Sequence, residues 1–174
     1  MDIKKSFFEL FGLPESFSVD KAVLSERYRE LQKTVHPDRF AHLSDQERRI
    51  AVQYTSYLNE GFATLKSPLL LAQYLLTLKG IDMASEGSTR MDPMFLMQQM
   101  ELREQVEDLA DAADPESAID QLSEEVSQSV RQLQQAFESA LHEDDLLRAE
   151  EAVRKMQFFD KLNREIDELE DELI

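Results

Sequence analysis

His36-Pro37-Asp38 stands between two stretches of helical periodicity, and the first half of the chain is organised around it. Upstream, Leu24, Tyr28, Leu31 and Val35 recur at spacings that line one face of a helix expected over about residues 19–35. Proline disfavours helical geometry at the residue before it, so this helix has to stop at the tripeptide. A polar loop is expected next, up to Ser44-Asp45-Gln46-Glu47, which has the form of a capping box with Ser44 as N-cap. The helix it opens carries Ala51, Tyr54, Leu58, Gly61/Phe62 and Leu65 on one face, and Ser67-Pro68 interrupts it. Residues 69–76 then form a helix too apolar to face water alone, expected to pack on the second half of the chain as well as on the first. Ahead of the hairpin, residues 7–11 read as a short apolar helix stopped by Gly12 and Pro14.

A helix, a His-Pro-Asp loop, and a helix bearing Asn59-Glu60-Gly61-Phe62 and ending at Leu65-Lys66-Ser67-Pro68 together resemble the J domain, over about residues 7–76. The resemblance implies that His36, Pro37 and Asp38, with the neighbouring basic helix, engage a DnaK-type chaperone and stimulate its ATP hydrolysis. The residue types suit docking. Pro37 stiffens the loop and lowers the entropy lost on binding. Asp38 can accept a bidentate pair from an arginine, and His36 can donate or accept near neutral pH. Arg29 and Lys33, four residues apart, lie away from the Leu24/Tyr28/Leu31 face and can present charge to the partner. Two departures from general-purpose J proteins stand out. Glu26 and Glu30 dilute the basic stripe, and the apolar segment 69–76 replaces a Gln-Lys-Arg-Ala-like helix. Both suggest a dedicated chaperone partner and a fused second domain. The bland alternative is a helix-breaking proline flanked by two solvated polar residues.

The net charge of −17 is segregated: residues 1–78 hold ten Lys/Arg against ten Asp/Glu, and residues 79–174 hold nine against 26. Two modules facing different partners account for that better than solubility alone, and nucleic acid is disfavoured for want of clustered cations. With no cysteine, the chain can form neither disulfides nor a thiolate-held cluster. No apolar stretch nears the roughly 20 residues of a membrane span, and the N-terminal apolar group is too short and polar for a signal peptide. The expectation is a cytoplasmic protein without cofactor or metal. Neither a phosphate-cradling glycine loop nor a serine or second base tied to His36 points to an enzyme.

Residues 79–91, with Ser85, Gly87, Ser88 and Thr89, form the expected linker. Asp92-Pro93 and Asp114-Pro115 each place a capping aspartate before a proline, opening helices of about 93–113 and 115–142, with a last helix over about 144–173. Three helices joined by short turns imply an antiparallel bundle, so the fold expected is all-α: a J domain followed by a three-helix bundle (92–174), which, being closed, argues for a monomer. On the first of these helices, Phe95, Leu102, Val106, Leu109 and Ala113 share the core face. Met97, Met100, Glu101, Glu104 and Asp108 lie opposite, with Leu96 and Glu107 at the edge. Apolar residues among carboxylates on a non-core face fit a partner-binding patch. They also fit a seam covered by the apolar helix at 69–76.

The missing Gly/Phe-rich and cysteine-repeat regions, the acidic bundle, and the segments 95–104 and 153–162 resemble the HscB family of J-type co-chaperones through nearly the whole chain. The resemblance implies delivery of the iron–sulfur scaffold IscU to the chaperone HscA. Its client-binding residues fall on Leu96, Met97, Met100, Glu101, Glu104, Glu107/Asp108 and Phe158. On the last helix, Leu146, Ala149, Val153 and Met156 form one stripe, and Phe159, Leu162, Ile166, Leu169 and Leu173 form a second, shifted one. Phe158 lies near the second stripe, which leaves it core or client-facing. Other readings compatible with the residues are a J protein for a different client and a helical structural protein.

Overall fold

The computed structural model describes residues 2–83 and 92–173. Residues 84–91 of the expected linker lie outside the described residues. The chain divides into two compact units, Met1–Lys79 and Gly80–Ile174.

In the first unit, α1 (Phe7–Phe11) is capped by Ser6, whose hydroxyl accepts the Glu9 amide, and ends at Gly12 in the left-handed region (φ 64°). That conformation favours glycine, and the space is also taken: Arg27 Nη1 lies 2.5 Å from where a Cβ would stand. Arg27, on α2 (Lys21–Thr34), donates to the Phe11 and Gly12 carbonyls at 2.7 and 3.3 Å, closing the end of α1 from the neighbouring helix. Asp20 caps α2 by accepting the Ala22 and Val23 amides. The expected loop after α2 contains one helical turn, α3 (Pro37–Phe40). His36 holds the extended geometry that a following proline imposes and caps this turn, while proline at its first position arrives with φ preset.

Ser44 caps α4 (Asp45–Lys66) by accepting the Glu47 amide, with its hydroxyl donating to the Glu47 carboxylate, and Ser67 caps α5 (Pro68–Leu78). The core joins Phe7, Phe8 and Phe11 of α1 to Leu24 of α2, the stripe Ala51, Tyr54, Leu58, Gly61 and Leu65 of α4, and Leu71, Ala72, Leu75 and Leu76 of α5. Phe7 stacks on Tyr74 (4.7 Å) and donates its amide to the Tyr74 hydroxyl (2.9 Å). Tyr28 stacks on Phe62 (4.0 Å) and donates to Asn59 Oδ1, pinning α2 to α4.

In the second unit, α6 (Pro93–Asp108) starts at capping Asp92 and buries Phe95, Leu102 and Val106. It is shorter than expected: residues Leu109–Asp111 tighten into a 3₁₀ turn and Ala112 is extended, so Ala113 lies beyond the helix and is exposed. Asp108, Asp111 and Asp114 crowd the negative end of the helix dipole, and Pro115 forces Asp114 out of helical geometry. Helices α7 (Pro115–His142) and α8 (Leu146–Leu173) form a long antiparallel hairpin. Its turn is a Schellman arrangement: the Asp144 amide donates to Leu141 O and the Asp145 amide to Ala140 O, with Asp144 at φ 58°. Phe95, Leu102, Val106 and Leu109 pack against Ile119, Leu122 and Val126 of α7 and Phe159, Leu162 and Ile166 of α8. Of the expected α8 stripe, Leu146 and Leu169 are half-buried and Leu173 is exposed.

Two predictions concern the first unit. A Cβ at Gly61 would stand 2.8 Å from the Phe7 ring and 3.2 Å from the Phe11 ring, both buried. Gly61→Ala gains about 1 kcal/mol of helix propensity, but overpacking these rings outweighs it, with a net loss of about 1–2 kcal/mol by urea denaturation. The second concerns alkaline pH. Burial holds the Tyr74, Tyr54 and Tyr57 hydroxyls above their ordinary value of 10.0; at Tyr74 the Phe7 amide opposes this and nearby carboxylates add to it. The neutral phenol is the form the fold favours, so this stability is intact below pH 10.0 and is lost as pH rises through the higher folded values. Urea midpoints should fall above that pH, and less so in Tyr74→Phe.

Candidate functional site

Each unit presents one outward face built from sequence-identified residues. In the first, His36 and Asp38 are exposed on the turn between α2 and α4. His36 Nδ1 accepts the Asp38 amide at 3.3 Å and sits 3.5 Å from Asp38 Oδ2. In the neutral imidazole this bond leaves the proton on Nε2, available to a partner, while the Asp38 carboxylate stands in solvent as an acceptor. Arg39 donates its backbone amide to the His36 carbonyl (2.9 Å), so the turn is held by its own backbone. Pro37 occupies the first helical position, and its side chain lies outside the described part. Arg29 and Lys33 are exposed on α2, on the face opposite buried Leu24, with Glu26 and Glu30 also exposed. Arg27, by contrast, is committed to the end of α1.

In the second unit, Leu96, Met97 and Met100 on α6 are 45%, 64% and 68% exposed. Glu101, Glu104, Glu107 and Asp108 are exposed on the same helix. At 100° per residue, Leu96, Met97, Met100, Glu101 and Glu104 fall within a single face opposite Phe95, Leu102 and Val106. Met94, absent from the sequence-derived set, is 77% exposed and extends that face at its N-terminal end. Its spacing of three from Met97 was the available signal. Phe158 is half-buried and edge-on to Phe95 (5.6 Å) and Phe159 (5.3 Å). Arg103 of α6 lies over its ring (5.6 Å) and donates to Glu165 of α8 at 2.9 Å. Phe158 therefore belongs to the margin of the core, with one side packed and one side open.

The described residues contain no group of three or more His, Asp or Glu placed to hold a metal ion. No described helix is long and apolar enough to cross a membrane.

Described residues that fold as a helical hairpin around a His-Pro-Asp turn, with His36 and Asp38 exposed, followed by a three-helix bundle have the architecture of a J-domain co-chaperone. A family model described as the HSCB C-terminal oligomerisation domain matches residues 91–167. The chain is 46% identical over 171 residues to a "Co-chaperone protein HscB homolog" of Shewanella woodyi, covering 97% of this chain and 98% of that one. It is also similar to the solved structure of "Chaperone HscB from Vibrio cholerae" (43% identity, TM-score 0.88, 97% of this chain and 100% of that one). The crystal structure of human co-chaperone protein HscB aligns at 32% identity and TM-score 0.88, over 98% of this chain and 84% of that one. The chain belongs to the HscB family of co-chaperones.

The position of Phe158 generates a prediction. Phe158→Ala removes an edge-on contact to both core phenylalanines and should destabilise the second unit by about 2 kcal/mol, less than a fully buried ring would cost. Arg103→Ala should cost under about 1 kcal/mol, as its ion pair is partly exposed. Urea denaturation of both variants checks the order.

Proposed function

We propose that this chain is an adaptor that brings an iron–sulfur scaffold protein of the IscU type to a DnaK-type ATPase chaperone of the HscA type and stimulates that chaperone's ATP hydrolysis. His36, Pro37 and Asp38, with Arg29 and Lys33, dock the chaperone. Leu96, Met97, Met100, Glu101 and Glu104 hold the client, and Phe158 forms the rim of that surface. The bond-breaking chemistry belongs to the chaperone and the metal cluster to the client; the adaptor supplies binding surfaces and no cofactor. Functionally the chain divides into a chaperone-binding part (1–78), a connecting segment (79–91) and a client-binding bundle (92–174), and it works as a cytoplasmic monomer.

The observation that supports this most is the α6 face: three large apolar side chains stand 45–68% exposed among carboxylates, on a helix that already has a complete core face. Exposed apolar clusters of this kind mark partner sites. Joining that face and an exposed His-Pro-Asp turn on one chain replaces a three-body meeting with successive pairwise ones, raising the effective concentration of client at the chaperone. The carboxylates add charge complementarity to a basic client surface and speed encounter.

Steady-state ATP hydrolysis by the chaperone, with and without IscU, tests the reading. The wild-type chain should stimulate turnover, and more strongly with IscU present. Asp38→Asn should abolish stimulation while leaving IscU binding intact. Met97→Ser/Met100→Ser should do the reverse, weakening IscU binding at least about tenfold by loss of apolar contact. Equal inertness of wild type and Asp38→Asn would remove the chaperone assignment. Undiminished IscU binding by the methionine double variant would remove the client assignment.

A further inference from the structure

The methionines in the described residues sort sharply by environment. Met83 and Met156 are 9% and 3% exposed. Met94, Met97 and Met100 are 77%, 64% and 68% exposed, and none belongs to the core cluster of the second unit. Their spacing of three places all of them on the outward face of α6. The thioether is the softest group on that face, and the chain has no cysteine to intercept an oxidant first.

We propose that Met94, Met97 and Met100 form a reversible oxidation site through which hydrogen peroxide switches off client capture. The inference rests on the assignment of the α6 face to the client. In the reaction, one peroxide oxygen bonds to the methionine sulfur as the O–O bond breaks. The sulfur gives up two electrons to become the sulfoxide, and the other oxygen leaves as water carrying both peroxide hydrogens.

The physical consequence differs for the fold and for binding. The three side chains stand in solvent and contribute nothing to the core, so a sulfoxide there leaves the bundle folded. A partner that packs apolar side chains against the methionines, however, has to strip water from each S=O dipole there without returning a hydrogen bond. Flexible, apolar side chains suited to an irregular partner surface become polar and chiral ones. The surrounding carboxylates are unchanged, so the electrostatic part of recognition persists while the apolar part is lost. Methionine sulfoxide reductases return the thioether, which makes the switch reversible.

The test treats the full chain with hydrogen peroxide and removes the oxidant with catalase before the client is added. Peptide mass spectrometry should find Met94, Met97 and Met100 converted well ahead of Met83 and Met156, with circular dichroism unchanged. Titration against IscU should then show affinity weakened by about tenfold, restored by incubation with both sulfoxide reductases. A Met94→Leu/Met97→Leu/Met100→Leu chain, whatever its starting affinity, should bind equally before and after treatment. Conversion of the buried methionines at the same rate as the exposed ones would overturn the inference, and so would an oxidised chain that binds IscU as well as the untreated one. If the untreated chain fails to bind IscU, the client assignment itself falls and this inference with it, so the two failures are distinguishable.

Discussion

A helix packed into a bundle of two or three neighbours buries one stripe and leaves the opposite side to water. Both units obey that limit, and it decides which side chains each leaves exposed. Helix α2 spends Leu24 and the inner edge of Tyr28 on the core and turns Arg29 and Lys33 outward. Helix α6 spends Phe95, Leu102 and Val106 and turns Leu96, Met97 and Met100 outward. No pocket is needed to make such a surface; it is the remainder of a packing problem already solved. What distinguishes α6 is that its remainder sets large apolar side chains among the carboxylates, where a wet face ordinarily carries charge alone.

Turn chemistry carries the same economy. Val35 closes α2 and His36, the next residue, caps the following turn, its Nδ1 accepting the Asp38 amide where Pro37 has none to offer. Arg27 and Arg103 show a second use of cations. Each reaches across to a neighbouring helix, Arg27 to backbone carbonyls and Arg103 to Phe158 and Glu165, and so is spent on internal joints. Arg29 and Lys33, on the same helix as Arg27, are left exposed. In a unit of balanced charge, that division decides which cations can face a partner.

The features legible in the sequence were those set by local rules. Capping residues Ser44, Asp92 and Asp114 act where the sequence placed them. The stripe through Phe95, Leu102, Val106 and Leu109 is buried, because a core face of period 3.6 leaves few alternatives. What escaped depended on competition between neighbours. The turn at residues 37–40 is too short for periodicity to register. The end of α6 came earlier than its apolar pattern, since three aspartates and a following proline outweigh the propensity of Ala113. Phe158 could not be resolved from spacing because the shift between stripes on α8 puts it on a boundary; only the rings of Phe95 and Phe159 and the cation of Arg103 give it a position. Met94 escaped because a methionine one residue after a helix-opening proline looks like a terminus rather than part of a face.

The left-handed Asp144 joins two helices of 28 residues each with only three residues between them. In such a hairpin the contacts nearest the turn close little chain, and the entropic cost of closing the loop grows only slowly with distance from it. Helix α6 stands apart from this zipper, tied to it by side chains and a 3₁₀ turn rather than by a tight hairpin. The element that carries the exposed apolar face is therefore the one whose docking is separable from the formation of its support. Its seat on the α7–α8 hairpin is made by the buried side chains of Phe95, Leu102 and Val106, so the exposed face and its support are joined by packing rather than by chain continuity.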